Sequence, residues 1–196
     1  MKLCFATNNK HKLEEAKDIA GGDFEIVSLE EINCFEELPE TRPTLEGNSL
    51  QKAEYVFEKY SVPCFADDTG LAVDALDGAP GVYSARYAGE HKDSNDNINL
   101  LLKNLTNVSN RKATFRTIIA LVGLENPPLL FEGTVHGTIT HERRGNSGFG
   151  YDPIFIPEGY DRSYAEMTLH EKSLLSHRAI AVKKLGHYLR SRVIAR

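Results

Sequence analysis

The stretch from Ala113 to Thr140 constrains the fold more than any other part of the chain. Ala-Thr-Phe-Arg-Thr-Ile-Ile-Ala-Leu-Val-Gly-Leu runs to Leu124, Pro127-Pro128 forces a turn, and a second extended run spans Leu129 to Thr140. β-Branched and apolar residues at this density read as strands, and the turn makes them an antiparallel pair. Strand and helix signals alternate on either side. Lys2 to Ala6 is a short apolar strand; Asn9 can cap a helix in which Leu13, Ala16 and Ala20 recur before Gly21-Gly22 stops it. Phe24 to Ser28 reads as a strand, and the acidic, two-proline stretch from Asn33 to Pro43 as a loop. The helical period returns from Thr44 to Tyr60, with Leu50, Ala53, Phe57 and Tyr60 on one face. Val62 to Ala66 is a strand that ends on Asp67-Asp68-Thr69-Gly70, and Ile98, Leu101, Leu102 and Leu105 mark another helix. Gly145 to Pro153 is loop, Ile154 to Ile156 strand, and the chain is helical from Thr168, where Thr168-Leu169-His170-Glu171 has capping-box spacing. Helices interleaved with strands at both ends, and strands clustered in the middle, predict an α/β fold with a mixed sheet. One domain, 1–196, in two lobes flanking a cleft is expected.

Composition excludes several function classes. The formal charge of -5 argues against duplex nucleic acid as a partner, because phosphate-backbone binding needs a basic face. The longest uncharged apolar run, Thr117 to Leu124, falls far short of the ~18 residues of a membrane helix, so no membrane partner is expected. The start of the chain turns polar at Thr7, so no signal-peptide core is expected either. Cys4, Cys34 and Cys64 are odd in number and form no C-x-x-C pair, which points to free thiols and a cytoplasmic protein. Neither an H-E-x-x-H nor a G-x-S-x-G motif occurs.

Four constellations could carry chemistry. Thr7-Asn8-Asn9-Lys10-His11-Lys12 joins a strand to a helix N-terminus, where unpaired N–H groups, short polar side chains and cations suit an anion such as phosphate. The same residues would also make an ordinary capped helix with a basic turn. Asp67-Asp68-Thr69-Gly70 places two carboxylates in succession; on a strand they face opposite ways, so one can meet a ligand such as Mg²⁺. An acidic turn closed by Gly70 is the alternative. Arg143 to Asp152 sets three glycines beside Phe149 and Tyr151, a flexible backbone lined with flat rings that could stack on a base, or simply a loop hinge. Glu171-Lys172-Ser173 and Ser176-His177-Arg178 offer cations and donors; on one continuous helix Lys172 and Ser176, or His170 and His177, would share faces.

In order along the chain, Thr7-x-Asn9-x-x-Lys12, Ala66-Asp67-Asp68-Thr69-Gly70-Leu71, Gly78-Ala79-Pro80-Gly81-Val82-Tyr83-Ser84-Ala85-Arg86-Tyr87, Gly148-Phe149-Gly150-Tyr151-Asp152-Pro153 and Glu171-Lys172-Ser173 with Ser176-His177-Arg178 resemble the inosine triphosphate pyrophosphatase family, also described as dITP/XTP pyrophosphatases. The resemblance runs from about Leu3 to Leu189. It implies an elongated two-lobed α/β fold around a long twisted mixed sheet, a homodimer, and Mg²⁺-dependent conversion of ITP, dITP or XTP to the monophosphate and pyrophosphate. It also implies roles. Asp68 is the proton acceptor and metal ligand, with Thr69 touching substrate beside it. Thr7 to Lys12 bind phosphate. Phe149, Gly150, Tyr151 and Asp152 form the base pocket, with Phe149 the stacking platform, and Lys172, His177 and Arg178 complete the substrate contacts. Glu40 and Lys52 match a second metal carboxylate and a phosphate lysine by their spacing. Two departures stand out: Gly47 replaces a carboxylate, and Asn146-Ser147 stands where the family has Thr-Gly.

The mechanism expected from these roles is electrostatic. Lys12, Lys52 and Lys172 spread developing phosphate charge while Asp68 positions water. Donors from His177, Arg178 or backbone N–H groups would pair with the 6-oxygen of ITP and mismatch the amino group of ATP. Two other classes stay open at this point: a Mg²⁺-dependent phosphohydrolase that releases orthophosphate, and a non-catalytic nucleotide-binding protein.

Overall fold

A computed structural model describes residues 2–22 and 24–194. The strands are β1 (Lys2–Phe5), β2 (Glu25–Val27), β3 (Cys64–Val73), β4 (Pro80–Gly81), β5 (Lys112–Val122), β6 (Leu129–Ile139) and β7 (Phe155–Pro157). The helices are α1 (Lys10–Ala20), α2 (Leu45–Tyr60), α3 (Ser94–Asn104), α4 (Leu169–Leu175) and α5 (His177–Ile194). The strands form one mixed sheet in the order β2-β1-β3-β5-β6-β7, with β4 pairing β3. β1 runs parallel to β2 and β3, whereas β7 is antiparallel to β6 and β4 to β3. The expected hairpin is present: Ile139 N donates to Arg111 O at 2.9 Å, which sets the end of β6 against the start of β5.

Two compact units share the chain. The first holds residues up to Asp68, Thr117–Gly133 and the chain from His177 onward; the second holds Thr69–Arg116 and Thr134–Ser176. In the first unit the strands are buried on both faces, and strand alternation sorts their residues. Leu3, Phe5, Phe65, Ile119 and Leu121 pack with Ala16 of α1 and with Ala181 and Leu185 of α5. Cys4, Ala6, Cys64, Ala66, Ala120 and Val122 pack with Ala53 and Val56 of α2. Phe5 and Phe65 stack with centroids 4.6 Å apart and rings 8° from parallel. β6 passes close to the start of α5 at Gly133, where a Cβ would lie 1.9 Å from the His177 carbonyl oxygen. The second unit has its own core, in which Leu71, Leu101, Phe115, Tyr151, Phe155 and Tyr164 meet.

Local signals explain the helix boundaries. Asn9 caps α1 by accepting from Lys12 N, Thr44 caps α2 by accepting from Gly47 N, and Asp93 caps α3 by accepting from Asn95 N and Asp96 N. The capping box at Thr168 and Glu171 is present on α4. Three expectations are corrected. β3 does not end at Ala66 but continues through Asp67-Asp68-Thr69-Gly70 to Val73, because both carboxylates find buried partners and need no solvent-facing turn. The strand expected at Ile154 to Ile156 begins at Phe155, since residues Asp152–Ile154 form a single tight turn containing Pro153. The C-terminal helix is two helices: Ser176 is extended (φ -73, ψ 159) and closes α4 through its N–H to Lys172 O. Lys172 and Ser176, or His170 and His177, therefore do not share a face of one helix.

Candidate active site

The first unit gathers its chemistry on the two faces of β3. Asp67 has the parity of Phe65 and points toward α1 and α5; it is fully buried, at 0% exposed. Lys12 Nζ donates to Asp67 Oδ1 at 3.0 Å and Arg178 Nε donates to Asp67 Oδ2 at 3.0 Å. Arg178, 1% exposed, also donates through Nη1 to Glu15 of α1. Asp68 has the parity of Ala66 and points toward α2, where Asn48 Nδ2 donates to its Oδ2 at 3.0 Å. Lys52, also on α2, donates to Glu40 Oε1 at 2.5 Å and to the Asp67 carbonyl at 2.8 Å.

These neighbours give consecutive aspartates opposite acidities. Burial works to raise the Asp67 carboxyl, but Lys12, Arg178 and Lys52 more than offset it and hold it well below the usual carboxylate range. Asp68 is pushed up from its ordinary value by burial, which Lys52 and Lys12 only partly counter and the Glu40 carboxylate reinforces. Burial, reinforced by Lys52 and Arg178, lowers the Lys12 ammonium despite Asp67. Lys52 is raised: burial works against its charge, but Asp68, Glu40 and Asp67 outweigh that. A carboxylate left relatively basic beside cations is what a proton acceptor near a phosphate requires.

The donor chemistry also fits a hard cation. Asp68 and Glu40, both close enough to Lys52 to raise its pKa, carry the oxygen donors that hard cations take, and among the described residues no group of three or more His, Cys, Asp or Glu could hold a metal ion.

The expected phosphate turn is built as a cap. Thr7 Oγ1 accepts from Asn9 N at 3.2 Å and Asn9 Oδ1 from Lys12 N at 3.2 Å. Lys10 and His11 are exposed at the start of α1, while Lys12 reaches Asp67. His177 is buried and its Nδ1 lies 2.7 Å from Thr117 Oγ1. His177 and Arg178 are each held by a partner of the first unit.

The second unit builds a different cluster. Asp152 Oδ2 accepts from Phe149 N at 2.8 Å and from Lys172 Nζ at 2.5 Å. The Lys172 ammonium lies 4.9 Å from the Phe149 ring centroid and 5.5 Å from that of Tyr164. Gly148 (φ +74) makes this possible, because a Cβ there would stand 2.1 Å from Asp152 Oδ2. Gly150 continues the turn at φ +59. The two rings considered for stacking divide: Phe149 is half-buried, whereas Tyr151 is buried in the core with its hydroxyl donating to Ser84 O at 2.8 Å. Tyr151 is therefore a core residue and no stacking platform. Thr69, half-buried, follows Asp68 on β3.

A family model described as "Ham1 family" matches residues 3–188. The chain belongs to the Ham1 family. This Ham1 chain is 56% identical over 189 residues to a dITP/XTP pyrophosphatase of Porphyromonas gingivalis, covering 96% of this chain and 97% of that protein. It is 46% identical to the dITP/XTP pyrophosphatase of Thermoanaerobacter pseudethanolicus, over 98% of each. Among solved structures it resembles the Staphylococcus aureus Ham1 protein, with a TM-score of 0.87 and 36% identity over 98% of this chain and 100% of that one. A nucleoside-triphosphatase described as a dITP/XTP pyrophosphatase from Mycobacterium abscessus gives a TM-score of 0.74 at 42% identity, over 94% and 98%.

Residue-type reasoning missed Asn48 and Glu15. Leu45, Asn48, Ser49, Lys52, Ala53 and Val56 form the buried stripe of α2, spaced as one helical face. Two small polar residues and a lysine inside an otherwise apolar stripe are the signal that could have found Asn48. Gly47 serves the cap, donating its N–H to Thr44 Oγ1 at 3.0 Å, and Ser147 anchors its loop by donating its N–H to Ala165 O at 3.0 Å.

Proposed function

We propose that this Ham1 protein hydrolyses non-standard purine nucleoside triphosphates (ITP, dITP and XTP) to the monophosphate and pyrophosphate, and so removes deaminated purines from the nucleotide pool. The relatives' activity supports the reaction, and the observation that carries it here is the pairing on β3 of a strongly acidic Asp67 with a buried, more basic Asp68 amid cations. Asp68 accepts the proton of the attacking water. Lys12 and Lys52, set among carboxylates, meet the phosphate oxygens, with backbone N–H groups of the Thr7–Lys12 turn beside them. Asp68 and Glu40 would hold Mg²⁺, which supplies charge neutralisation at the phosphates when bound.

The second unit's cluster takes the base. Phe149 is the stacking surface, kept at its angle by its N–H to Asp152, and Lys172 beneath it adds a positive charge and a donor. A 6-oxo purine presents an acceptor where ATP presents a donor, so an ammonium and backbone N–H groups around Phe149 favour ITP and XTP over ATP; GTP shares that oxygen and is excluded at its 2-amino group. Arg178 and His177 contribute from within the first unit, Arg178 by anchoring Asp67. The chain acts as one catalytic domain over 1–196. Three buried free cysteines fit a reducing cytoplasm, and the homodimer follows from the family resemblance. No helix among the described residues is long and apolar enough to cross a membrane.

Purified protein with ITP and Mg²⁺, assayed separately for pyrophosphate and orthophosphate with ATP and GTP alongside, tests this. Pyrophosphate from ITP with little turnover of ATP or GTP is expected. Orthophosphate as product would replace the reading with a phosphohydrolase, and tight ITP binding without product would replace it with a binding protein.

A further inference from the structure

Glu40 lies in a stretch, residues 33–43, that contains no helix or strand, so no regular backbone ladder fixes it. Side-chain amides do this instead. On one side Asn8 Nδ2 donates to Glu36 O at 3.0 Å, and Asn8 Oδ1 accepts from Leu38 N at 3.0 Å. On the other side Gln51 of α2 accepts from Thr41 N at 3.0 Å and donates to Thr41 Oγ1 at 2.9 Å. One turn earlier on α2, Asn48 Oδ1 accepts from Arg42 N at 2.9 Å, and its Nδ2 is the donor to Asp68. Each planar amide thus offers a donor and an acceptor to the loop or its neighbour, and Glu40 stands between the two grips with Lys52 on its carboxylate.

We propose that Asn8 and Gln51 are positioning residues for Glu40: they hold the loop so that Glu40 and Asp68 meet one Mg²⁺. Asn8 lies in the turn expected to touch phosphate, yet both heteroatoms of its amide are bonded to the 36–38 backbone. It acts through Glu40 and not on the substrate. This rests on the proposed reaction, in which Asp68 and Glu40 are the metal carboxylates.

The test uses Asn8→Ala, Asn8→Asp and Gln51→Ala, alone and combined with Glu40→Gln. Amide hydrogen exchange at Leu38 and Thr41 is read on metal-free protein. The Mg²⁺ concentration for half-maximal ITP turnover is read next, then kcat and KM for ITP at saturating Mg²⁺. Asn8→Ala should speed exchange at Leu38 and Gln51→Ala at Thr41. Each should raise the half-saturating Mg²⁺ about three- to tenfold, the scale of one or two lost hydrogen bonds. Saturating Mg²⁺ should restore kcat, and neither variant should shift the Mg²⁺ requirement further once Glu40 is Gln. Asn8→Asp keeps the acceptor for Leu38 and should fall between wild type and Asn8→Ala. A raised KM for ITP at saturating Mg²⁺ with an unmoved Mg²⁺ requirement would make Asn8 a direct substrate contact and overturn the proposal. An equal Mg²⁺ shift with and without Glu40 would do the same. Should the wild type release no pyrophosphate from ITP, the reaction class fails separately, and unchanged exchange at Leu38 and Thr41 would then overturn the grip itself.

Discussion

The cluster around β3 and the cluster around Phe149 handle buried charge in opposite ways. In the first unit Lys12, Lys52 and Arg178 meet Asp67, Asp68, Glu15 and Glu40, so carboxylates outnumber cations by one. Asp67 takes two cations directly, while Asp68, one residue on, takes an amide. In the second unit one ammonium and one carboxylate pair beside the Phe149 and Tyr164 rings. On the proposed reaction, the difference separates two tasks. A triphosphate needs several cations and one carboxylate basic enough to take a proton, whereas a purine needs a flat face and a few fixed donors.

The largest effect should come from Asp68, the proposed proton acceptor. Asp68→Asn is expected to lower kcat for ITP by about 10²–10⁴-fold, the usual worth of a lost general base. The same change should stabilise the metal-free protein at neutral pH. The folded-state pKa of Asp68 is raised, so its favourable contribution exists below the ordinary carboxylate pKa and is lost as pH rises through the folded value. Denaturant midpoints of the two proteins should therefore diverge at neutral pH and converge in acid. An Asp68→Asn enzyme with near-normal turnover would remove Asp68 from the chemistry.

Asp67→Asn should do the reverse and cost stability, because it leaves Arg178 and Lys12 buried beside a neutral amide. Breaking a buried pair costs about 3–5 kcal/mol. The sign with pH is opposite too: Asp67 is depressed, so its contribution is present above the ordinary carboxylate pKa and lost as pH falls toward the folded value. Urea unfolding at neutral pH reads it directly, and a variant as stable as the wild type would show that the Asp67 pairs contribute nothing net.

How far these clusters were legible depends on the range of the interactions. Strand parity on the Asp67-Asp68 pair was enough to place them on opposite faces, because that follows from local geometry. The caps at Asn9, Thr44 and Thr168 are equally local. The Arg178–Glu15 pair, by contrast, spans 163 residues, and nothing in either segment announces it. On α2, counting only apolar residues selects Leu50, Ala53, Phe57 and Tyr60; of these Ala53 is buried and the other three are half-buried, and the count passes over the polar residues on the fully buried face. The break at Ser176 was hidden for a related reason: no Pro or Gly marks it, and His177 packs its backbone against Gly133, a contact made only in three dimensions.

Within the second unit, Phe149→Ala should raise the KM for ITP by a factor corresponding to about 1–3 kcal/mol, the measured range for a base stacked on an aromatic ring. kcat at saturating ITP should hold, since the first unit's charges are untouched. Steady-state kinetics decide this. A fall in kcat with KM unchanged would show that Phe149 supports the reacting phosphates and not the base, which would erase the division of labour.

The smallest effect sharpens the comparison most cleanly, because it reaches Lys172 without altering a charge. α4 has only seven residues, so its first turn is a large part of it, and Lys172 sits at its middle. Thr168 Oγ1 accepts from Glu171 N at 3.2 Å while Glu171 Oε2 accepts from Thr168 N at 2.7 Å. Thr168→Ala removes the first of these and should cost about 1 kcal/mol of stability. The backbone bond to Thr168, helped by Arg162, holds the Glu171 carboxyl down at about 2. The box's contribution is therefore present above the ordinary carboxylate pKa and fades as pH falls toward that value. Thr168→Ala should raise the KM for ITP slightly, as Lys172 loses its fixed hold on Asp152, and leave the acid limb of kcat where Asp68 sets it. If that limb moved with Thr168, the two clusters would share one titration and could not be assigned separate tasks.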